Sequence, residues 1–447
     1  MALTLPAHPD PLTDRLHTSG LLTELAHGLG GPFHYLLPHR FDTNLAAFHA
    51  VLADAGVEGR VHYAKKANKA AVFIDRCAAG GAGADVASLG ELREALGQGL
   101  RGEELVVTGP AKADALLRIA ARHGALIAVD ALDELARVLA LGLPRPPRVL
   151  LRVHPTDQPG SRFGLVARDL DEAMRRCAEA GGQVRMEGFG FHLSGYDVRQ
   201  RADLASDLVE LCLKARVQGL PADRISIGGG FAVDYVPADA WETFLSRQNP
   251  GDYHAGRTFT KDDFYPYHSP VAGADALRAV LAASPARRGP SLAERLRGAG
   301  VTLLLEPGRA LLDRAGGSVF GVQGVKDRDG YGIVTVDGTS LSLSEQWFNS
   351  EYLPDPQLLS TRLAHPQETV PYRACVAGAS CLDSDLLTWR KIAFPARPQV
   401  GDLLVYPNTA GYQMDSNESP FHELPLPRKV VVDHLDGADR PRWRLDR

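Results

Sequence analysis

Residues 61–96 read VHYAKKANKAAVFIDRCAAGGAGADVASLGELREAL. Two short β-type runs, Val61–Lys65 and Ala84–Ala87, flank a helix-like segment. Leu89, Leu92 and Leu96 follow at helical spacing. A strand–helix–strand order of this kind needs a crossover, which is right-handed and leaves its two strands parallel. The same alternation continues through Leu105–Thr108, Leu126–Val129, Val149–Val153, Met186–Phe191, Arg224–Ile227 and Thr302–Leu305, with Leu204, Leu208 and Leu211 marking another helix. Eight such units predict an α/β fold built on a closed (β/α)8 TIM-type barrel rather than an open doubly wound sheet.

The spacing breaks once. Residues 228–301 are more than one helix and two loops require, and Trp241–Ser269 within them is rich in aromatics and His. Such a stretch is either a disordered surface insertion or a lid over the strand ends. After Arg309 helical periodicity fades. Gly317–Lys326, Gly332–Asp337, Arg373–Val376, Asp402–Tyr406 and Lys429–Val432 read as short strands between Pro and Gly turns, which predicts an all-β domain. The chain therefore divides into an N-terminal segment, 1–38, whose Pro32–Pro38 stretch could add a strand to that β domain. The barrel follows over 39–312, with its insertion at about 232–300, and the β domain over 313–447.

Composition excludes several classes. With 447 residues, 45% hydrophobic and 23% charged, the chain is globular rather than disordered. A net charge of -5 gives no global attraction to nucleic acid or to an anionic membrane. The first twenty residues hold no long apolar run, so no signal peptide or anchor is expected there, and no apolar stretch is long enough for a membrane span. Cysteines at 77, 177, 212, 375 and 381 form no CxxC pair. That pattern suits a reducing cytoplasm and predicts no metal site.

In a barrel of this kind, chemistry collects at the C-terminal ends of the strands. Those ends carry Lys66, Asp85, Thr108, Asp130, Arg152, His192, Gly228-Gly229-Gly230 and Glu306. Only nine of the basic residues are Lys. Strand alternation places His62, Ala64 and Lys66 on one face, and a Lys at the mouth can form a Schiff base, which Arg cannot. Taken alone, Lys66 reads first as a solvated strand-end residue, as neighbouring Lys65 shows. The glycine triplet lets the backbone approach a phosphate, and Glu306-Pro307-Gly308-Arg309 places an acid and an Arg around a rigid turn. No Walker motif is present.

These stretches resemble the fold-type III, pyridoxal-phosphate-dependent decarboxylases, the diaminopimelate/ornithine decarboxylase family. The resemblance runs, in family order, through Tyr63–Asn68, Gly83–Leu92, Ser161–Leu165, Gly190–Gly195, Ile227–Phe231, Glu306–Arg309, Cys381–Asp385 and Ala410–Tyr412, over roughly residues 32–430. It implies pyridoxal 5'-phosphate as cofactor, with Lys66 as its attachment point, His192 stacked on its ring and Glu306 at the ring nitrogen. Gly228, Gly229, Gly230, Gly308, Arg309 and Tyr412 would hold the phosphate. Asp85, Arg152 and Ser194 complete the expected cofactor set. Cys381 would protonate the product carbanion. With Leu382, Asp383 and Asp385 it would reach the substrate in a partner protomer, so the implied unit is a head-to-tail homodimer with shared sites. Cys381 also has a plain reading as a small core hydrophobe.

Four departures from the family bear on substrate. The residue after the Cys, usually acidic toward a distal amine, is Leu382, and Asp383 replaces it only if the loop shifts by one. Residues 339–348 lack the Arg and Pro of the diaminopimelate-reading stretch. The usual His-x-Gly-Ser appears as His192-Leu193-Ser194-Gly195, and the aromatic insertion is extra. Together they imply a decarboxylase for an unusual amino acid, large or conjugated, in place of diaminopimelate or ornithine. The alternatives are a racemase, a decarboxylase of carrier-tethered aminoacyl groups, or a non-catalytic homologue that binds a partner protein.

Overall fold

The computed structural model describes residues 3–285, 289–343, 350–360, 370–433 and 441–446. Strand β1, Phe33–Leu36, precedes the barrel. β2 (Gly59–Ala64), β3 (Gly83–Val86), β4 (Leu105–Val107), β5 (Leu126–Val129), β6 (Arg148–Arg152), β7 (Arg185–Gly190), β8 (Arg224–Ser226) and β9 (Thr302–Leu305) then form a closed parallel barrel. Closure is made by β2 against β9, with Gly59 opposite Leu303. Val106, Leu126, Leu150 and Leu304 fill the interior as one apolar cluster. The barrel is thus a packed core, and Leu150 forms part of the floor of the cavity at its mouth. Intervening residues point outward and bury against the surrounding helices. Local signals start those helices: Ser88 accepts from the Glu91 amide at 3.1 Å, and Ser291 and Glu294 make a reciprocal capping box.

One expectation fails at the barrel's most informative strand. Alternation was to carry through to Lys66, but β2 ends at Ala64 and Lys65–Ala67 turn as a 3-10 helix. The turn separates the two lysines. Lys65 is buried and pairs with Glu94 at 2.9 Å, and Lys66 enters the cavity.

The described residues of the insertion are folded onto the barrel. Ala238–Arg247 and Gly273–Ala282 are helices, and Trp241, Phe244, Tyr253, Phe259, Phe264, Tyr265 and Tyr267 are buried. Their rings pack on one another, stacked for Trp241 on Phe244 and edge to face for Tyr265 with Tyr235 and Tyr267, at 5.8 and 5.4 Å. Tyr265 and Pro266 reach the barrel mouth as wall residues.

The remaining strands form one nine-stranded sheet around β10, Gly316–Arg328. The first half of β10 pairs with β1 and with β15 (Leu403–Tyr406). Its second half pairs with β11 (Tyr331–Val336) after a register shift at Val322/Gly324. β11 is followed laterally by β13 (Tyr372–Ala377) and β14 (Leu386–Phe394). On the other side β16 (Arg428–Asp433) and β17 (Arg442–Leu445) extend beyond β1. β12, Gln357–Leu359, pairs with β15. The sheet includes parallel pairs, β1 with β16 and β11 with β13. Among the described residues no helix is long and apolar enough to cross a membrane.

Strand β14 escaped the sequence reading because a cation stands at one of its core positions. Arg390 is fully buried, donates to the carbonyls of Leu3 and Leu353, and pairs with Asp355 at 2.6 Å. Glu351 beside it accepts from the Arg390 amide, and burial raises its pKa to about 7 against the pull of the Arg390 charge. Removing one member of such a cluster strands the others. Arg390→Ala is expected to cost about 3–5 kcal/mol, read as a lowered unfolding midpoint. An unchanged midpoint would show the cluster to be energetically idle.

Candidate active site

A cavity of about 750 Å³ opens at the C-terminal ends of the barrel strands. Lys66, Arg152, His192, Ser194, Gly229, Gly230, Glu306, Gly308, Arg309 and Tyr412 all line it. Asp85 lies directly behind Lys66: its Oδ2 is 3.3 Å from Nζ, and Thr108 donates to its Oδ1 at 2.6 Å. The Asp85 charge is the main cause that raises the Lys66 pKa above the ordinary lysine value, against the opposing effect of burial. Lys66 therefore rests as an ammonium, although its side chain, 45% exposed, lies along the open cavity.

Glu306 sits across from it, 8% exposed, and accepts from Ser226 Oγ at 2.5 Å. Burial first, and the Asp85 charge second, raise its pKa to about 7. The Ser226 bond, Lys66 and Arg152 pull the other way. His192 is held well below its ordinary value by burial and by the charges of Lys66, Arg152 and Arg201, so its imidazole is neutral. Arg152 pairs with Asp130 at 3.2 Å and lies 4.3 Å over the Phe163 ring. Asp130 also accepts from the Gly164 amide at 3.1 Å, which pins the 161–165 loop against the wall.

The far end of the cavity is built from backbone. Gly228 and Gly230 have φ of +65° and +76°, and a Cβ at Gly228 would meet His192 Nδ1 at 2.8 Å. Side chains are thus excluded there by conformation and by packing. The amides of Gly229, Gly230 and Phe231 donate to no acceptor among the described residues. Successive backbone amides free of acceptors are the kind of concavity that binds anions. Arg309 stands beside them, donating to Tyr235 Oη at 3.3 Å and stacked 4.1 Å over Tyr265. Tyr412 arrives from the β domain with φ of +76°, a costly conformation for a bulky residue. Its amide is held by the Ala67 carbonyl at 2.8 Å. The β domain thus ties the loop after Lys66 to the wall of the cavity beside Arg309.

Four expected residues lie elsewhere. Cys381 is exposed, and its Sγ is 3.0 Å from His422 Nε2. Leu382 is 50% exposed. None of Cys381, Leu382, Asp383 and Asp385 lines the cavity of their own chain. Asp385 does not project at all: its buried carboxylate accepts from the Ser340 and Ser380 amides at 2.7 and 3.1 Å. Residues 344–348 of the stretch compared with diaminopimelate decarboxylases lie outside the described residues.

Sequence reasoning missed Ser226, Tyr265, His422 and Arg201. Ser226 had a signal, standing two residues before the triplet on the strand that leads into it. Arg201 had one too: it falls on the buried stripe of the helix Val198–Val217 with Ala205, Leu208 and Cys212.

A parallel barrel whose mouth combines an amine, a buried acid, a neutral imidazole and a nest of unpaired amides defines an enzyme scaffold for a phosphorylated, carbonyl-bearing cofactor. The family model for the pyridoxal binding domain of pyridoxal-dependent decarboxylases matches residues 40–248. The chain belongs to the fold-type III pyridoxal-phosphate-dependent decarboxylases, and the cofactor of this family is pyridoxal 5'-phosphate. It is 40% identical to the Sinorhizobium fredii protein called Uncharacterized protein y4yA, covering 93% of this chain and 91% of that one. It is 27% identical to the diaminopimelate decarboxylase of Deinococcus radiodurans, covering 92% of each. The fold is shared with the Helicobacter pylori diaminopimelate decarboxylase complexed with L-lysine, with TM-score 0.71, 17% identity and coverage of 93% and 94%. It is also shared with the lysine/ornithine decarboxylase from Vibrio vulnificus complexed with cadaverine, with TM-score 0.72, 21% identity and coverage of 95% and 98%.

Proposed function

We propose that the chain catalyses loss of CO2 from the Cα of an amino acid. When bound, pyridoxal phosphate supplies an electron sink for the carbanion left at Cα. Lys66 would hold the cofactor through its amine once Asp85 gives up the ammonium contact. The amides of Gly229, Gly230 and Phe231, with Arg309 and Tyr412, would take the phosphate, and neutral His192 would lie against the ring. The observation that carries the reading is Glu306. It is a buried carboxylate whose pKa of about 7 reflects burial and a neighbouring negative charge. Such a group favours a cationic N–H partner. At the ring nitrogen it would keep the proton in place and strengthen the sink. A cationic residue there would weaken the sink and favour racemisation.

The geometry of residues 381–385 supports a shared site. Cys381 and Leu382 face outward, away from their own cavity, where a head-to-tail partner would meet them. There Cys381 would protonate the carbanion, with Leu382 and Asp383 near the far end of the substrate and Asp385 bracing the loop. A distal ammonium over Leu382 would lack a partner, at about 1–3 kcal/mol. The substrate reading is therefore an unusual amino acid, large or conjugated, in preference to diaminopimelate or ornithine.

Incubation of cofactor-loaded protein with L- and D-amino acids, including diaminopimelate, lysine, ornithine and arginine, and with conjugated and carrier-bound forms, tests this by mass spectrometry. The expected product is an amine lighter by CO2. An inverted amino acid would replace the reading with a racemase. Leu382→Glu is expected to leave turnover of the native substrate no higher than before, and a gain would sink the distal-group argument.

A further inference from the structure

Arg201 lies at the first turn of the helix Val198–Val217, only 2% exposed. Its Nη1 donates to the Ile227 carbonyl at 2.9 Å, and its Nη2 to the carbonyls of Gly195 and Gly230 at 3.2 and 3.3 Å. No described carboxylate pairs with it. Asp197 is felt only at a distance, and the guanidinium lies 5.8 Å over the Phe231 ring. A buried cation held without an ion pair is expensive, since buried cations are normally paired. Burial lowers its pKa to about 10, which still leaves it charged at neutral pH.

The three carbonyls belong to the two loops that end at the cavity. In a trans peptide the C=O of one residue and the N–H of the next point in opposite directions. Holding the carbonyls of Gly195, Ile227 and Gly230 on the Arg201 side therefore turns the amides of Tyr196, Gly228 and Phe231 to the other side. The Gly228 amide is taken by Ser226 Oγ at 3.2 Å, and Phe231 belongs to the run of amides without an acceptor. Tyr196 and Phe231 both line the cavity. The charge is also felt there, as one of the causes that keep His192 neutral. At Gly230 a Cβ would run into the Arg201 Nη2, so glycine and arginine are fitted to each other.

We infer that Arg201 is a positioning residue for the cofactor phosphate. Its guanidinium fixes the orientation of both phosphate-facing loops from behind, and its positive charge, which no described ion pair neutralises, takes the phosphate as counter-ion across one layer of backbone. The inference rests on the proposed placement of the phosphate at Gly229–Phe231.

The test compares full-length apoprotein binding pyridoxal phosphate with its binding of pyridoxal, which lacks the phosphate. Arg201→Met is expected to weaken pyridoxal phosphate by roughly 10–100-fold, the worth of one partly buried charge acting over several ångströms, and to leave pyridoxal within about twofold. Equal weakening of both ligands would show a merely structural role, and no weakening of either would show none; each result overturns the inference. Should Arg201→Met not fold, the same ratio is read on Arg201→Gln, whose amide still donates to a loop carbonyl without the charge. Arg309→Met separates the two layers of argument. If it too shows no phosphate-selective loss, the placement of the phosphate is wrong. If Arg309→Met is selective and Arg201→Met is not, only the role of Arg201 fails.

Discussion

Glu306→Gln is expected to lower kcat by roughly 10²–10³-fold, the usual cost of one preorganised electrostatic partner, and at the same time to make the apoprotein more stable at alkaline pH. The two effects share one cause. In the unfolded chain the carboxyl titrates at its ordinary 4.5, and in the folded chain at about 7, chiefly because it is buried and faces Asp85. Folding therefore favours the protonated form. That stabilisation is fully present below pH 4.5 and is lost as pH rises through 7. Gln keeps the Ser226 hydrogen bond and never ionises. At pH 8 the apo variant should exceed the wild type by on the order of 2–3 kcal/mol, and at pH 4 the two should coincide. Thermal unfolding at both pH values, with kcat on the loaded enzyme, checks the pair. Equal stability at pH 8 would mean that the carboxylate is not strained by its surroundings. An unchanged kcat would remove it from the chemistry. A residue that destabilises its own protein until a cationic partner arrives is what a binding site for a protonated ring nitrogen requires.

The barrel was legible in the chain because it is a repetition. Eight β-type runs alternating with helical spacing leave little choice of topology, and polar residues at the strand ends stand out against Val, Ile and Leu. The β domain was legible where its strands alternate and hidden where they do not. Arg390 interrupts β14 with a buried charge, which no pattern of apolar positions reports. Lys66 was placed at the barrel mouth, where the structure has it, but its path was misjudged, since a strand period cannot show where a 3-10 turn takes over. The backbone end of the cavity was read from its glycines. The side chains that hold that backbone were not, because Arg201 and Ser226 stand outside any motif and are recognisable only by where their side chains go. The insertion was ambiguous in sequence for a physical reason: aromatic residues in a segment without periodicity describe an irregular buried cluster and an exposed loop equally well until partners such as Tyr235 and Tyr352 are seen against Tyr267.

The largest single effect belongs to Lys66. Lys66→Ala should abolish the absorbance band of the lysine-bound cofactor and cut turnover by roughly 10⁴-fold or more, because no other amine lines the cavity among the described residues. The same change strands Asp85, which is buried and then keeps only the Thr108 hydroxyl, so some stability is lost as well. Lys66→Arg separates the two losses. A guanidinium keeps the positive charge beside Asp85 but does not form an imine with an aldehyde. It should therefore retain near-wild-type unfolding behaviour at neutral pH while lacking both band and activity. Lys65 provides the internal comparison. Its amine is buried against Glu94 and the Lys69 carbonyl, facing away from the cavity. Any folded Lys65→Met chain should keep the band. If the band survives in Lys66→Arg, or vanishes in a folded Lys65→Met chain, the cofactor is attached elsewhere, and the assignment of this cavity falls with it.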